Sequence, residues 1–279
     1  MGPRSRAPAP SPRRTIINPP LAVTFDFWDT LLHAPRADDA RARRRTQLLG
    51  LLGDLGVAVG EDALDAALAE VQRVFDVHWH KNQQFHADDA VSVILGELGV
   101  DPGEIGAADR DTLVQAIRQG RSDAVPPLTP NVAETLRALK LAGVRLGIIC
   151  DVGFAPSTVL RGYLQHHGVL DLFDHWSFSD EVGVYKPDPA IFRHSLDGLG
   201  APDPAAAVHV GDLRRTDVAG ARGFGMTSVR YAGSNDDVAV PAEGDRARLG
   251  SSGIEPADRI EADHVIADHA ELPALLGIA

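Results

Sequence analysis

Residues 21–32, Leu-Ala-Val-Thr-Phe-Asp-Phe-Trp-Asp-Thr-Leu-Leu, read as a short apolar strand that runs into an aspartate, Asp26. A carboxylate at the end of a buried strand is unfavourable unless it has a charged partner, a metal ion or a reaction to perform. The chain offers all three. Lys186 lies in Val-Tyr-Lys-Pro-Asp-Pro, a second apolar run, Val-His-Val-Gly-Asp, ends on Asp212, and Asp217 follows five residues later. A third run, Leu-Gly-Ile-Ile-Cys-Asp, ends on Cys150 and Asp151. Hard carboxylate oxygens suit a divalent cation, and a compact ammonium suits phosphate oxygens. Together these are the parts of a metal-assisted phosphoryl-transfer site.

Such residues must be brought together by the elements that carry them. Apolar runs predict strands at Ala22–Phe25, Arg145–Ile149, His175–Phe178, Ala207–Val210 and Thr227–Arg230, with a weaker one near His264–Ile266. Helical stretches alternate with them at Val132–Leu141, Ser157–His166, Pro189–Leu199 and Asp217–Arg222, and Gly143, Gly168, Gly200 and Gly223 stand where left-handed C-caps are wanted. This alternation predicts a Rossmann-like, doubly wound parallel α/β sheet. Ligands of such sheets sit beyond the carboxyl ends of the strands. Asp26, Asp151 and Asp212 all fall at that edge, and Lys186 lies in the loop beyond the third strand.

The stretch from His33 to Val125 breaks the pattern. It contains no convincing strand, and amphipathic helices are expected at Asp38–Leu52, Asp62–His80, Ala87–Leu98 and Asp109–Gln119. The expected organisation is a tail at 1–20, a sheet domain from 21–32 and 126–279, and an all-helical domain at 33–125. Residues 1–20 are rich in Pro, Ser, Ala and Arg with little to bury, and are expected to be disordered. Residues 232–260 lack periodicity and read as a long surface loop.

The chain has 279 residues, 44% of them apolar, and a net charge of −12. That charge argues against nucleic acid or an anionic membrane as a partner. No run approaches the ~20 apolar residues of a membrane span. The lone cysteine, Cys150, permits no intrachain disulfide, which fits a reducing cytoplasm. A small molecule is the expected partner.

Four segments in order, Phe25-Asp26-Phe27-Trp28-Asp29-Thr30-Leu31, Ile148-Ile149-Cys150-Asp151, Lys186-Pro187-Asp188-Pro189 and Gly211-Asp212 with Thr216-Asp217, resemble the haloacid dehalogenase superfamily. Its members are mostly phosphatases with a helical cap over a Rossmann-like core. The resemblance implies that Asp26 is a nucleophile forming an aspartyl phosphate, and that Lys186 neutralises the phosphoryl oxygens. It also implies Mg²⁺ held by Asp26, Asp212 and the Trp28 backbone carbonyl, with Asp217 in support. Substrate contacts are expected from Asp151, Trp28 and cap residues around Trp79 and His80. The substrate would be a small phosphate ester or anhydride.

Two departures stand out. Phosphatases of the superfamily carry a second aspartate, two residues after the nucleophile, that protonates the leaving oxygen and then deprotonates water. Here that residue is Trp28, which does neither. Asp29, His33, His78, His80, Lys81 and His86 are candidate substitutes. Cys150, assigned to the catalytic set, stands where Ser or Thr usually holds a phosphate oxygen, and a thiol is a weak donor. The amides of Val152 and Gly153 are expected to help. An aromatic residue two after the nucleophile also occurs in dehalogenases of the superfamily, because halide leaves without a proton. A carbon–halogen hydrolase, or a binding protein with turnover lost, are therefore the alternatives. The intact Asp212 and Asp217 favour the metal-dependent phosphatase.

Overall fold

The computed structural model describes residues 19–34, 37–119, 125–201, 203–234, 237 and 260–278. The expected tail at 1–20 and loop at 232–260 lie almost wholly outside the described residues. Six strands, β1 (Ala22–Phe25), β2 (Arg145–Cys150), β3 (His175–Phe178), β4 (Ala207–Gly211), β5 (Thr227–Tyr231) and β6 (His264–Ile266), form one sheet. All pairs are parallel, in the order β3-β2-β1-β4-β5-β6. The chain reverses direction across the sheet at β1, so β1 and β4 flank the switch point where doubly wound sheets bind ligands.

Helices α1 (Ala37–Asp54), α2 (Glu61–His80), α3 (Ala87–Glu97) and α4 (Ala107–Gln119) come between β1 and β2. They bury a core of their own around Leu52, Leu64, Val91, Ile94 and Ile117. The chain leaves the sheet at His33, whose amide bonds the Pro127 carbonyl at 3.0 Å, so the two ends of the insert are tied together. No described helix is long and apolar enough to cross a membrane.

The remaining helices are α5 (Val132–Leu141), α6 (Ser157–His166), α7 (Ser179–Val182), α8 (Pro189–Gly198), α9 (Ala219–Phe224) and α10 (Leu272–Leu275). Strand alternation sends Val23, Phe25 and Ile148 to one face, against Leu136, Leu160 and Leu272 of α5, α6 and α10. Ala22 and Ile149 go to the other, against Phe192 and Leu196 of α8 and Ala221 of α9. A parallel sheet buried on both faces thus has one open edge for chemistry, the strand ends.

One element differs from expectation. The helix expected at Asp217–Arg222 starts two residues later, as α9, and a wide π turn spans Arg214–Val218 before it. The left-handed cap accordingly falls on Gly225 (φ 105°) rather than Gly223, while Gly143, Gly168 and Gly200 do adopt positive φ. The turn is wide because Asp217 folds back beneath the strand end and takes the Leu213 amide on Oδ2 at 3.0 Å. A Cβ on Gly211 would lie 2.3 Å from the Asp217 Cγ, so only glycine lets that carboxylate in.

Candidate active site

The amide of Asp26 continues the ladder by donating to Val210 O at 2.8 Å, which fixes its carboxylate just past the end of β1. Lys186, 1% exposed, reaches it from the loop before α8. Its Nζ donates to Asp26 Oδ1 at 2.5 Å and to Asp217 Oδ1 at 2.6 Å. Asp212 follows β4, and carboxylate oxygens of Asp26, Asp212 and Asp217 lie within 4.8 Å of one another.

Three buried carboxylates thus face one ammonium, an excess of two negative charges if all ionise. Burial raises Asp26 to about 7 against the pull of Lys186. Burial, with Asp26 and Asp217 adding repulsion, pushes Asp212 well above the usual carboxylate range. Asp217 goes the other way: burial opposes its charge, but Lys186 and His209 overcome it and hold it low. Lys186 is likewise raised, since Asp217 and Asp26 outweigh its burial. Asp217 is therefore the settled anion, with Oδ1 on Lys186 and His209 and Oδ2 on Leu213 and Thr216. Asp26 and Asp212 are the frustrated pair. An all-oxygen donor set with two uncompensated charges fits a hard divalent cation such as Mg²⁺.

A crevice of about 360 Å³ opens over this cluster. Of the residues singled out from the sequence, Asp26, Trp28, Asp29, Trp79, Asp151, Lys186, Asp212 and Asp217 line it. Asp151 Oδ1 accepts the Lys186 amide at 2.8 Å, and its Oδ2 faces the Trp79 indole N–H at 3.4 Å. Asp29 sits in a left-handed turn (φ 54°) and accepts the Ala34 amide at 3.0 Å. A larger cavity, about 610 Å³, lies in the helical layer; its one acidic side chain among the described residues, Asp65, is paired with Arg45 at 2.6 Å.

Other expectations need correction. Cys150 is wholly buried in the core between sheet and helices, and its Sγ lies 3.5 Å from Asp151 O rather than on the crevice wall. Strand alternation turns its side chain inward, and burial raises the thiol well above its ordinary range. Among the described residues it is absent from the crevice lining. The Val152 amide is taken by Ser179 Oγ at 2.7 Å. His80 is exposed, one helical step from Trp79, with Nδ1 on the Asp76 carbonyl at 2.7 Å. His33, His78, Lys81 and His86 are absent from the crevice lining among the described residues; His78 packs on Phe85 and His86 precedes α3 as its N-cap.

Two contributors had no expectation attached. His209, on β4 between Val208 and Val210, bonds Thr24 Oγ1 through Nδ1 at 2.8 Å and Asp217 through Nε2 at 3.1 Å. Burial lowers its pKa, so it is a neutral ring that fixes Asp217 in place. A histidine in an otherwise apolar strand was the available signal. Arg215, between Asp212 and Asp217, lays its guanidinium 4.1 Å from the Trp79 ring centroid and donates to the carbonyls of Trp79 and His80 at 3.1 Å each. It joins the strand-end loop to the last turn of α2.

A parallel sheet at whose switch point a lysine-bridged carboxylate cluster faces a helical insert is a Rossmann-like α/β fold with a candidate strand-end active site. A family model for haloacid dehalogenase-like hydrolases matches residues 20–225, and the chain belongs to that family. Among its relatives, a glyceraldehyde 3-phosphate phosphatase of Methanopyrus kandleri is 31% identical over 238 residues, covering 81% of this chain and 94% of the relative. Among solved structures, a 2-haloacid dehalogenase from Pseudomonas syringae pv. Tomato DC3000 superposes with TM-score 0.60 at 26% identity, covering 91% of this chain and 97% of the other. A HAD phosphatase from Thermococcus onnurineus superposes with TM-score 0.56 at 25% identity, over 92% and 98% of the two chains.

Proposed function

We propose that this hydrolase is a Mg²⁺-dependent phosphatase of small phosphorylated metabolites in the cytoplasm, working through an aspartyl phosphate on Asp26. The observation that carries the reading is the buried Lys186 bridge between Asp26 and Asp217, with Asp212 beside it. Mg²⁺ held by Asp26, Asp212 and the Trp28 carbonyl would screen the nucleophile from the phosphate's charge. Lys186 holds the attacking oxygen and offsets charge on the transferring group. Asp217, locked by His209, Leu213 and Thr216, keeps Lys186 charged and in place. Residues 33–125 act as the cap, and Trp79 closes the crevice over a core of 21–32 and 126–279. The relative from Methanopyrus kandleri, a phosphatase by name, supports the same assignment.

The test is Asp26→Asn, nearly isosteric, assayed with Mg²⁺ on a panel of phosphate esters and acyl phosphates. Turnover should vanish while Mg²⁺-dependent stabilisation is only weakened. Activity above a few per cent would mean a different nucleophile.

A second reading, a 2-haloacid dehalogenase, is favoured by the aromatic Trp28 and by the Pseudomonas syringae likeness. The excess negative charge beside Asp26 opposes it, because attack on carbon needs no cation to gather. Dehalogenation that persists in strong chelator would establish it.

A further inference from the structure

With Trp28 in place of the usual acid, some other group must protonate the leaving oxygen. Among the described residues, four ionisable side chains line the crevice outside the Lys186-linked cluster: Asp29, Asp151, Tyr185 and Asp237. The Tyr185 hydroxyl is spent on the backbone of Phe85 and Val152, at 3.1 to 3.4 Å, and burial raises it far above neutrality. Asp237 accepts the Arg214 amide at 2.6 Å, and Asp29 is held in its own turn by Ala34.

Asp151 differs in placement. β1 and β2 are neighbours in register, with Phe25 opposite Ile148. Trp28 stands three residues beyond Phe25, and Asp151 stands three beyond Ile148. Trp28 and Asp151 both line the crevice beyond the ends of these neighbouring strands, so Asp151 faces the same cavity as the residue that replaces the usual acid. The amide that holds Asp151 belongs to Lys186, whose ammonium holds Asp26, so one residue positions both carboxylates. The 3.4 Å contact from Trp79 is long for a hydrogen bond, which leaves Oδ2 able to carry a proton.

We propose that Asp151 is the general acid and base of this enzyme, a role that rests on the phosphatase reading above. In the first half-reaction an Asp26 oxygen bonds to phosphorus as the bond to the leaving oxygen breaks. The Asp151 proton passes to that oxygen, and the alcohol departs. In the second, the Asp151 carboxylate takes a proton from water as the water oxygen attacks phosphorus. The bond between phosphorus and the Asp26 oxygen breaks, releasing inorganic phosphate. Burial raises Asp151 to about 6 although Lys186 lowers it, near the value a shuttling carboxyl needs. Besides Lys186, the titratable groups that face it are Asp217, Cys150 and Tyr185.

The test is Asp151→Asn with Mg²⁺ on phosphate monoesters graded by leaving group, from 4-nitrophenyl to alkyl. Asparagine still accepts the Lys186 amide. The kcat/KM for alkyl phosphates should fall by ~10²–10⁴-fold, the usual worth of acid–base help, and that for 4-nitrophenyl phosphate by much less. An equal loss across the series would mean a positioning role and overturn the proposal. The wild-type enzyme gives an independent check. Its kcat/KM for alkyl esters should decline on the alkaline side as the donor ionises, and that for 4-nitrophenyl phosphate should lack this limb. A limb shared by both substrates also overturns it. Absence of turnover with every ester would defeat the phosphatase reading itself, and this proposal with it.

Discussion

The floor and the roof of the crevice are built differently. On the floor, Asp26, Lys186, Asp212 and Asp217 are buried; Asp26 and Asp212 directly follow strands, Lys186 reaches in from the loop before α8, and Asp217 folds back from the π turn. Lys186 holds Asp26 and Asp217 at 2.5 and 2.6 Å, and Thr24 and His209 brace Asp217 from inside the core. The roof is Trp28, Phe75 and Trp79, all partly exposed, and the side-chain contact from Trp79 to Asp151 is 3.4 Å long. On the phosphatase reading the phosphoryl group is the same in every substrate, so its receptor can be rigid. Leaving groups differ, and a surface of half-buried rings tolerates change. The difference teaches that damage to the floor should remove chemistry and stability together, while damage to the roof should alter substrate preference with little loss of fold.

Lys186→Met tests the floor most severely. It removes the ammonium from two buried carboxylates, and orphaning buried charge of this kind costs ~3–5 kcal/mol. Denaturant titration should show that loss, and kcat should drop by ~10²–10³ as for other deleted transition-state contacts. A fully stable variant would mean that the carboxylates find another partner.

The floor also dictates a pH dependence. Asp26 is raised from 3.8 to about 7 on folding, so the folded chain binds this proton more tightly than the unfolded one. Its contribution to stability is therefore complete below about pH 4 and is lost as pH rises through about 7. Asp212 shifts in the same direction. Asp217, held low, has the opposite sign, and its contribution is lost only as acid protonates it. In chelator, unfolding midpoints should fall across the window from about 4 to about 7. Mg²⁺ should stabilise more at the upper end, and Asp26→Asn should flatten the slope. Equal stabilisation by Mg²⁺ at both ends would contradict the charge excess.

The same contrast decides what was legible in the sequence. All six strands were, because apolar runs punctuated by glycine caps admit few other readings, and Asp26 and Asp212 followed because they sit where strands stop. The roof was legible only in part. Trp79 lies in the crevice and His80 does not, since neighbours on a helix point about 100° apart and no local pattern says which faces the core. Cys150 was misplaced because β2 runs one residue beyond the expected Ile149, so Cys150 is a strand residue whose side chain the pleat turns into the core. The π turn at Arg214–Val218 and the His209 brace are consequences of one side chain, Asp217, folding back under Gly211, a tertiary contact with no periodic signature.

Trp28→Asp probes the boundary between floor and roof. If Asp151 supplies the proton, the substitution alone should change alkyl phosphate turnover by less than about tenfold, well under the ~10²–10⁴ that acid–base help is worth. In an Asp151→Asn background it should restore much of what was lost. A large gain in the wild-type background would instead show that the proton was missing all along.

The mildest perturbation is Trp79→Phe, which keeps an aromatic ring beneath Arg215 but deletes the N–H that faces Asp151. A bond at 3.4 Å should be worth no more than the ~0.5–1.5 kcal/mol of an ordinary hydrogen bond, so kcat/KM should change by less than about tenfold. Trp79→Ala also removes the stacking with Arg215, worth ~0.5–2 kcal/mol, and should raise KM further at a stability cost of that order, below the loss in Lys186→Met. If Phe proved as damaging as Ala, the indole N–H rather than the ring would be what holds the roof. Trp79 would then belong with the floor, as part of the machinery that orients Asp151.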